Sequence, residues 1–143
     1  MVQTEQTSGR FHALSEERCR ELLSSRHEGR IAWTAADGPQ LLPVSYTLHE
    51  GQVAFRTSPY GVLSQLRAPT LVAFEIDDIQ PATGVGWSVL VRGRAAPVTG
   101  SLALAALWAD DELVPWATGT RTLVVLIEEH AISGRAVQAP RAG

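Results

Sequence analysis

The chain contains no lysine and no asparagine, and a single cysteine among its 143 residues. Each gap removes a class of chemistry. Without lysine no Schiff base can form, and a phosphate must be met by arginine, hydroxyls or backbone amides. All twelve basic residues are arginine. Cys19 has no second cysteine to pair with, which suits a reducing, cytoplasmic setting. No apolar run approaches the ~20 residues that span a bilayer, so no membrane partner is expected. The polar stretch Met1–Arg10 lacks the apolar centre of a secretory signal. A net charge of -3 without a basic stripe points away from nucleic acid. His12, His27, His49 and His130 are scattered, without metal-ligand spacing, so no metal site is expected.

What is present reads as one β-rich domain over residues 13–137, with loose ends at 1–12 and 138–143. Ser15 followed by Glu16 and Glu17 marks a helix start, and Leu14, Cys19, Leu22 and Leu23 form its apolar stripe. Cys19, on that stripe, reads as a buried and inert thiol. Gly29–Ala35, Leu41–Leu48 and Gln52–Thr57 read as a three-strand meander joined at Asp37-Gly38 and Glu50-Gly51. A short helix is expected after Gly61, from Val62, Leu63 and Leu66. Leu71–Ile76 is a buried strand, Asp77–Gly86 a loop, Trp87–Val98 a long strand, Ser101–Trp108 a helix and Thr122–Ile127 the last core strand. Six strands with helices at the crossings predict a mainly β, six-stranded antiparallel split barrel with short inserted helices.

Four segments then carry a resemblance: Leu14 through Ala32, Leu42-Pro43-Val44-Ser45-Tyr46, Val53-Ala54-Phe55-Arg56-Thr57, and Gly86 through Ala95. Pro115-Trp116 and Ile132-Ser133-Gly134-Arg135 extend it. This ordered set resembles the flavin-binding split barrels of the pyridoxamine 5′-phosphate oxidase-like family, in its actinobacterial, nitroimidazole-reductase-like branch. The resemblance implies a homodimer with FMN at the interface. It implies ring contacts from Val44, Ser45 and Tyr46, phosphate contacts from Arg56, Thr57 and Ser58 ahead of Gly61, and further contacts from Trp87 and Ser88. Where the family commonly has Lys or Arg just after that glycine, this chain has Val62.

Each of these residues also has a plainer reading. Arg56-Thr57 can simply end a strand, Trp87 can anchor a core or an interface, and Arg92 and Arg94 can form a solvated stripe. Gly84-Val85-Gly86 precedes a strand, not a helix, so it is no nucleotide loop. No side chain stands out as a general acid or base, which flavin chemistry tolerates because the cofactor carries the hydride. The expected function is an FMN-binding oxidoreductase that reduces a small organic acceptor, with Tyr46 and the tryptophans as pocket walls. Two alternatives are a non-catalytic binding module on the same barrel and a deazaflavin-dependent reductase, both favoured by Val62.

Overall fold

The computed structural model describes residues 10–58, 60–100 and 123–138. Strand β1 (Arg10–Ala13) precedes helix α1 (Glu16–Ser24), then come β2 (Glu28–Ala35), β3 (Gly38–Ser45), β4 (Thr47–His49) and β5 (Gln52–Thr57). A 3₁₀ helix (Val62–Arg67) leads to β6 (Thr70–Gln80), β7 (Val85–Pro97) and β8 (Leu123–Gln138). All pairings are antiparallel, in the order β3-β2-β6-β7-β8-β5-β4, with β1 on β8. The mainly β antiparallel class expected from the sequence is observed. No helix among the described residues is long and apolar enough to cross a membrane.

Among the described residues the sheet has eight strands rather than six, and the reason is local. The two ends of the strand order, β3 and β4, are consecutive in the chain and separated by Tyr46 alone. One expected stave is thus interrupted, pairing with β2 before the break and with β5 after it. The covalent chain closes the circuit there. The remaining extra strand is β1, whose residues lie partly in the expected loose N-terminus and pair with Arg135–Gln138. Two strands also outrun expectation. β6 continues through Asp77 and Asp78 to Gln80, and β8 runs on from Ile127 through the polar stretch at Glu128–His130. The expected helix Ser101–Trp108, together with Pro115 and Trp116, lies outside the described residues.

Alternation puts every second residue inside. Ile31 and Trp33 of β2, Val72, Phe74 and Ile76 of β6, Val89 and Val91 of β7, and Val125 and Ile127 of β8 are buried in one core. α1 adds Cys19, Leu22 and Leu23 to it. The Ser15 hydroxyl caps that helix, accepting from the Arg18 amide at 3.1 Å. The β4–β5 hairpin turns at Glu50 and Gly51, both with positive φ (51° and 81°), as a two-residue hairpin of the favoured twist requires.

Tyr46 ties these parts together. It is fully buried, its ring meets Phe74 edge-on at 4.9 Å, its hydroxyl donates to the Leu23 carbonyl at 2.5 Å, and its amide donates to the His27 carbonyl at 2.8 Å. Burial raises the pKa of the phenol well above its ordinary range, so it stays a donor. Tyr46→Phe leaves the Leu23 carbonyl without its side-chain donor in the core. Such a loss costs about 1–3 kcal/mol. Urea denaturation of the variant is expected to show a loss in that range with an unchanged m-value, and an unchanged midpoint would contradict this role for the hydroxyl.

Candidate functional site

Alternation divides the residues singled out from the sequence into two sets. Val44, Tyr46 and Thr57 are buried with their side chains inward, and Trp87 packs against the core cluster. The expected role of Tyr46 as a pocket wall therefore meets a side chain wholly engaged in the core, leaving only its backbone for outside contacts. Trp87 has the Arg26 guanidinium over its ring at 5.2 Å, and Arg26 is paired with Asp78 at 2.7 Å. This cation–π and ion-pair arrangement accounts for the tryptophan without a ligand.

Ser45, Arg56 and Ser88 take the alternate positions, facing out from the sheet, and the register sets them on one transverse row. Ser45 lies opposite Glu28. Carrying the β4–β5 register back two residues, from Thr47 opposite Ala54, places Ser45 beside Arg56, where β3 and β5 touch. Extending the β2–β6 register from Arg30 opposite Glu75 sets Glu28 beside Asp77. Asp77 in turn lies opposite Ser88, and Ser88 opposite Arg135. The outer row thus reads Arg56, Ser45, Glu28, Asp77, Ser88, Arg135. Sequence reading named three of its members separately but had no means of joining them.

The region after β5 provides the expected phosphate donors in part. Arg56 and Thr57 end that strand, and Ser58 follows with its hydroxyl accepting from the Tyr60 amide at 3.1 Å. The short helix expected after Gly61 is a 3₁₀ helix, and Gly61 caps it without a side-chain hydrogen bond. Its first turn spends the Ser64 amide on the Gly61 carbonyl at 2.9 Å. Val62 is 48% exposed and offers no donor.

Sequence reading missed one cluster. Arg30 of β2 reaches both Glu75 and Asp77 of β6, at 2.9 Å each. The two carboxyls share a face because they are two residues apart on a strand, a signal that was available once Asp77 was taken as strand rather than loop. Partial burial, and then the hydrogen bond and charge of Asp77, push the Glu75 carboxyl up to about 7 against the pull of Arg30. The cluster stands between two clefts. One, of about 400 Å³, is lined by Arg26, Glu28, Arg30, Pro43 and Asp77 among others. The other, of about 380 Å³, is lined by Glu75, Ser88, Leu90, Ser133, Gly134 and Arg135.

A family model described as pyridoxamine 5′-phosphate oxidase matches residues 15–136. The chain belongs to that family. An uncharacterized protein of Mycobacterium tuberculosis is 32% identical over 126 residues, covering 85% of this chain and 82% of that protein. The solved structure of the FAD binding protein from Mycobacterium smegmatis is 31% identical, with a TM-score of 0.74, covering 89% of this chain and 99% of that one. A FAD-binding protein from Mesorhizobium loti shares the fold at 20% identity and a TM-score of 0.71, covering 90% of this chain and 99% of that one. The mycobacterial relatives agree with the actinobacterial resemblance. Within the pyridoxamine 5′-phosphate oxidase family, this chain thus presents a charged and hydroxyl-bearing row on the outer face of its sheet.

The Glu75 carboxyl makes stability depend on pH. Its folded-state value, about 7, lies above the ordinary 4.5. The folded chain therefore binds this proton more tightly than the unfolded chain, so the stabilisation is complete below 4.5 and is lost as pH rises through 7. The thermal midpoint is expected to fall between about pH 5 and 7.5 from this source. Glu75→Gln should flatten that part of the profile. An identical slope in the variant would show that the proton sits elsewhere.

Proposed function

We propose that this protein is a flavin-binding oxidoreductase whose cofactor lies along the β3–β5 edge. The observation that carries this reading is the likeness to the Mycobacterium smegmatis FAD binding protein over nearly its whole length, joined to an Arg56–Ser45 edge on the outer face. The donor set fits a phosphate. Arg56 offers a guanidinium and Ser58 a hydroxyl, while the inward Thr57 leaves only its backbone, and such charge-assisted hydrogen bonds are the strong ones. The set is one cation short of the family's common pattern, because Val62 stands where a basic residue is usual.

Bound flavin would supply a ring that accepts and returns a hydride. The chain's own residues do the rest. Val44, Ser45 and Tyr46 run their backbone beside the ring, with Tyr46 locked from behind. Arg56 and Ser58, with the backbone at Thr57, hold the 5′-phosphate, which FMN and FAD have in common. Gly61 and Val62 bound it on the far side, and Trp87 and Ser88 lie across the sheet at the start of β7. FMN is the cofactor proposed from the phosphate donors. FAD and a deazaflavin are the competing occupants, and the substrate is a small organic acceptor. The setting proposed is the cytoplasm.

We also propose a homodimer, in which a second copy covers the part of the outer sheet face around Leu41 and Leu71 and leaves the β6–β8 cleft open. Leu41 and Leu71 are 63% and 62% exposed on neighbouring parts of that face. An isologous pairing would duplicate the site. Light scattering at micromolar concentration is expected to give twice the chain mass of 15.4 kDa; a monomer mass would overturn the pairing.

Visible absorbance and calorimetry test the cofactor. FMN and FAD are expected to bind at least about tenfold more tightly than riboflavin, the worth of a charged hydrogen bond. Arg56→Ala should weaken FMN and leave riboflavin nearly unchanged. Val62→Arg should tighten FMN, less so at high salt. Equal affinity for FMN and riboflavin would remove the phosphate from this turn and favour a binding module without tight flavin binding.

A further inference from the structure

The cleft between β6, β7 and β8 lies across the sheet from the proposed flavin edge, and its floor is built by register. Glu75, Leu90 and Ser133 form one transverse row, and Asp77, Ser88 and Arg135 the next. The volume, about 380 Å³, suits a small organic molecule. Arg135 has no ion-pair partner among the described residues. Its guanidinium is held over the Phe11 ring of β1 at 5.7 Å, and Phe11 is itself 70% exposed. Among the described residues, the arginine is thus positioned by an aromatic face and pairs with no carboxylate. Ser88 and Ser133 put two hydroxyls on the same floor, and Leu90 lies between them as an apolar base.

We propose that this cleft binds a small organic carboxylate, with Arg135 pairing to the carboxylate group, Ser88 and Ser133 donating to it, and the apolar body lying on Leu90. The charged groups facing the cleft decide how binding varies with pH. From β8 comes Arg135; from β6 come Glu75 and Asp77; from β2 comes Arg30, which bridges that pair. β7 contributes Ser88 and Leu90, neither charged. Arg26 and Asp78 are occupied with each other at the neighbouring end of the sheet. An unprotonated Glu75 opposes an anion, whereas a protonated one adds a donor. Protonation of this group near neutral pH therefore strengthens binding as pH falls.

This proposal shares Ser88 with the flavin reading, whereas Arg135 and Ser133 belong to it alone, so the protein as purified tests it with or without bound flavin. Benzoate is the probe and benzamide, its neutral analogue, the control, followed by calorimetry or ligand-observed NMR. Benzoate is expected to saturate one site per chain, and benzamide to bind at least about tenfold more weakly. Arg135→Gln should weaken benzoate by a similar factor. Ser133→Glu, a change at an exposed position that places a fixed carboxylate on the floor, should abolish binding and serves if the first variant does not fold. Binding should be tighter at pH 6 than at pH 8, and Glu75→Gln should remove the difference. Equal binding of benzoate and benzamide, unchanged affinity in both variants, or no saturation by benzoate at millimolar concentration would each overturn the site.

Discussion

The position of Tyr46 is the constraint on which the barrel depends. A sheet curled into a circuit has to close somewhere, and here closure is made by one residue that belongs to neither flanking strand. Its amide is held by the His27 carbonyl and its hydroxyl by the Leu23 carbonyl, so the end of α1, the link to β2 and the β3–β4 break are fixed to a common point. The ring then needs room against Phe74, and Gly29 provides it. A Cβ at residue 29 would lie 2.4 Å from the Phe74 ring and 2.9 Å from the Glu75 carbonyl oxygen. The backbone oxygen cannot rotate away, so this glycine is required by the close approach of β2 to β6 and not by a turn.

Once Tyr46 points inward, period two dictates what points outward. Ser45 must point outward, and through the ladders Glu28, Asp77, Ser88 and Arg135 must point the same way. The inner set is apolar and makes the fold. The outer row is polar and is where this chain has room to differ from other proteins with the same barrel. A fold-level likeness says little about that row, because function resides in the residues placed on a fold. The bridging of Glu75 and Asp77 by Arg30 is a feature of this chain's own side chains.

Much of the fold was legible because strands with one wet face write their alternation into the sequence, as in Val53 and Phe55 or Val89 and Val91. Ser15 and the stripe ending at Leu23 marked α1 for the same reason at helical spacing. What was misread has a physical explanation in each case. Asp77 and Asp78 suggested a loop because acids are poor strand formers, yet one faces outward to Arg30 and the other pairs with Arg26. Glu128–His130 suggested an end to the last strand, whereas a register shift opposite Arg92 and Gly93 absorbs an extra residue and lets β8 continue. Gly93 belongs to that shift, since a Cβ there would lie 2.0 Å from the Glu128 carbonyl oxygen. The candidate site was legible only as separate residues. Joining Ser45, Arg56 and Ser88 needed strand register, which no local pattern encodes, and the same holds for the cluster around Glu75.

β8 is the strand that meets three others: β5 along its first residues, β7 along most of its length, and β1 at its end. It is also the last element of the barrel to leave the ribosome. Until it emerges, β7 and β5 each present an unpaired edge, and β1 has nothing to join. Open edges of this kind recruit other chains. The nascent protein therefore has its greatest exposure to misassembly late in synthesis, with most of its core residues already made but no stave to close over them. A pause in translation ahead of residue 123, or a truncation within β8, should be felt as lost yield from the cell well before it is felt as a less stable purified protein.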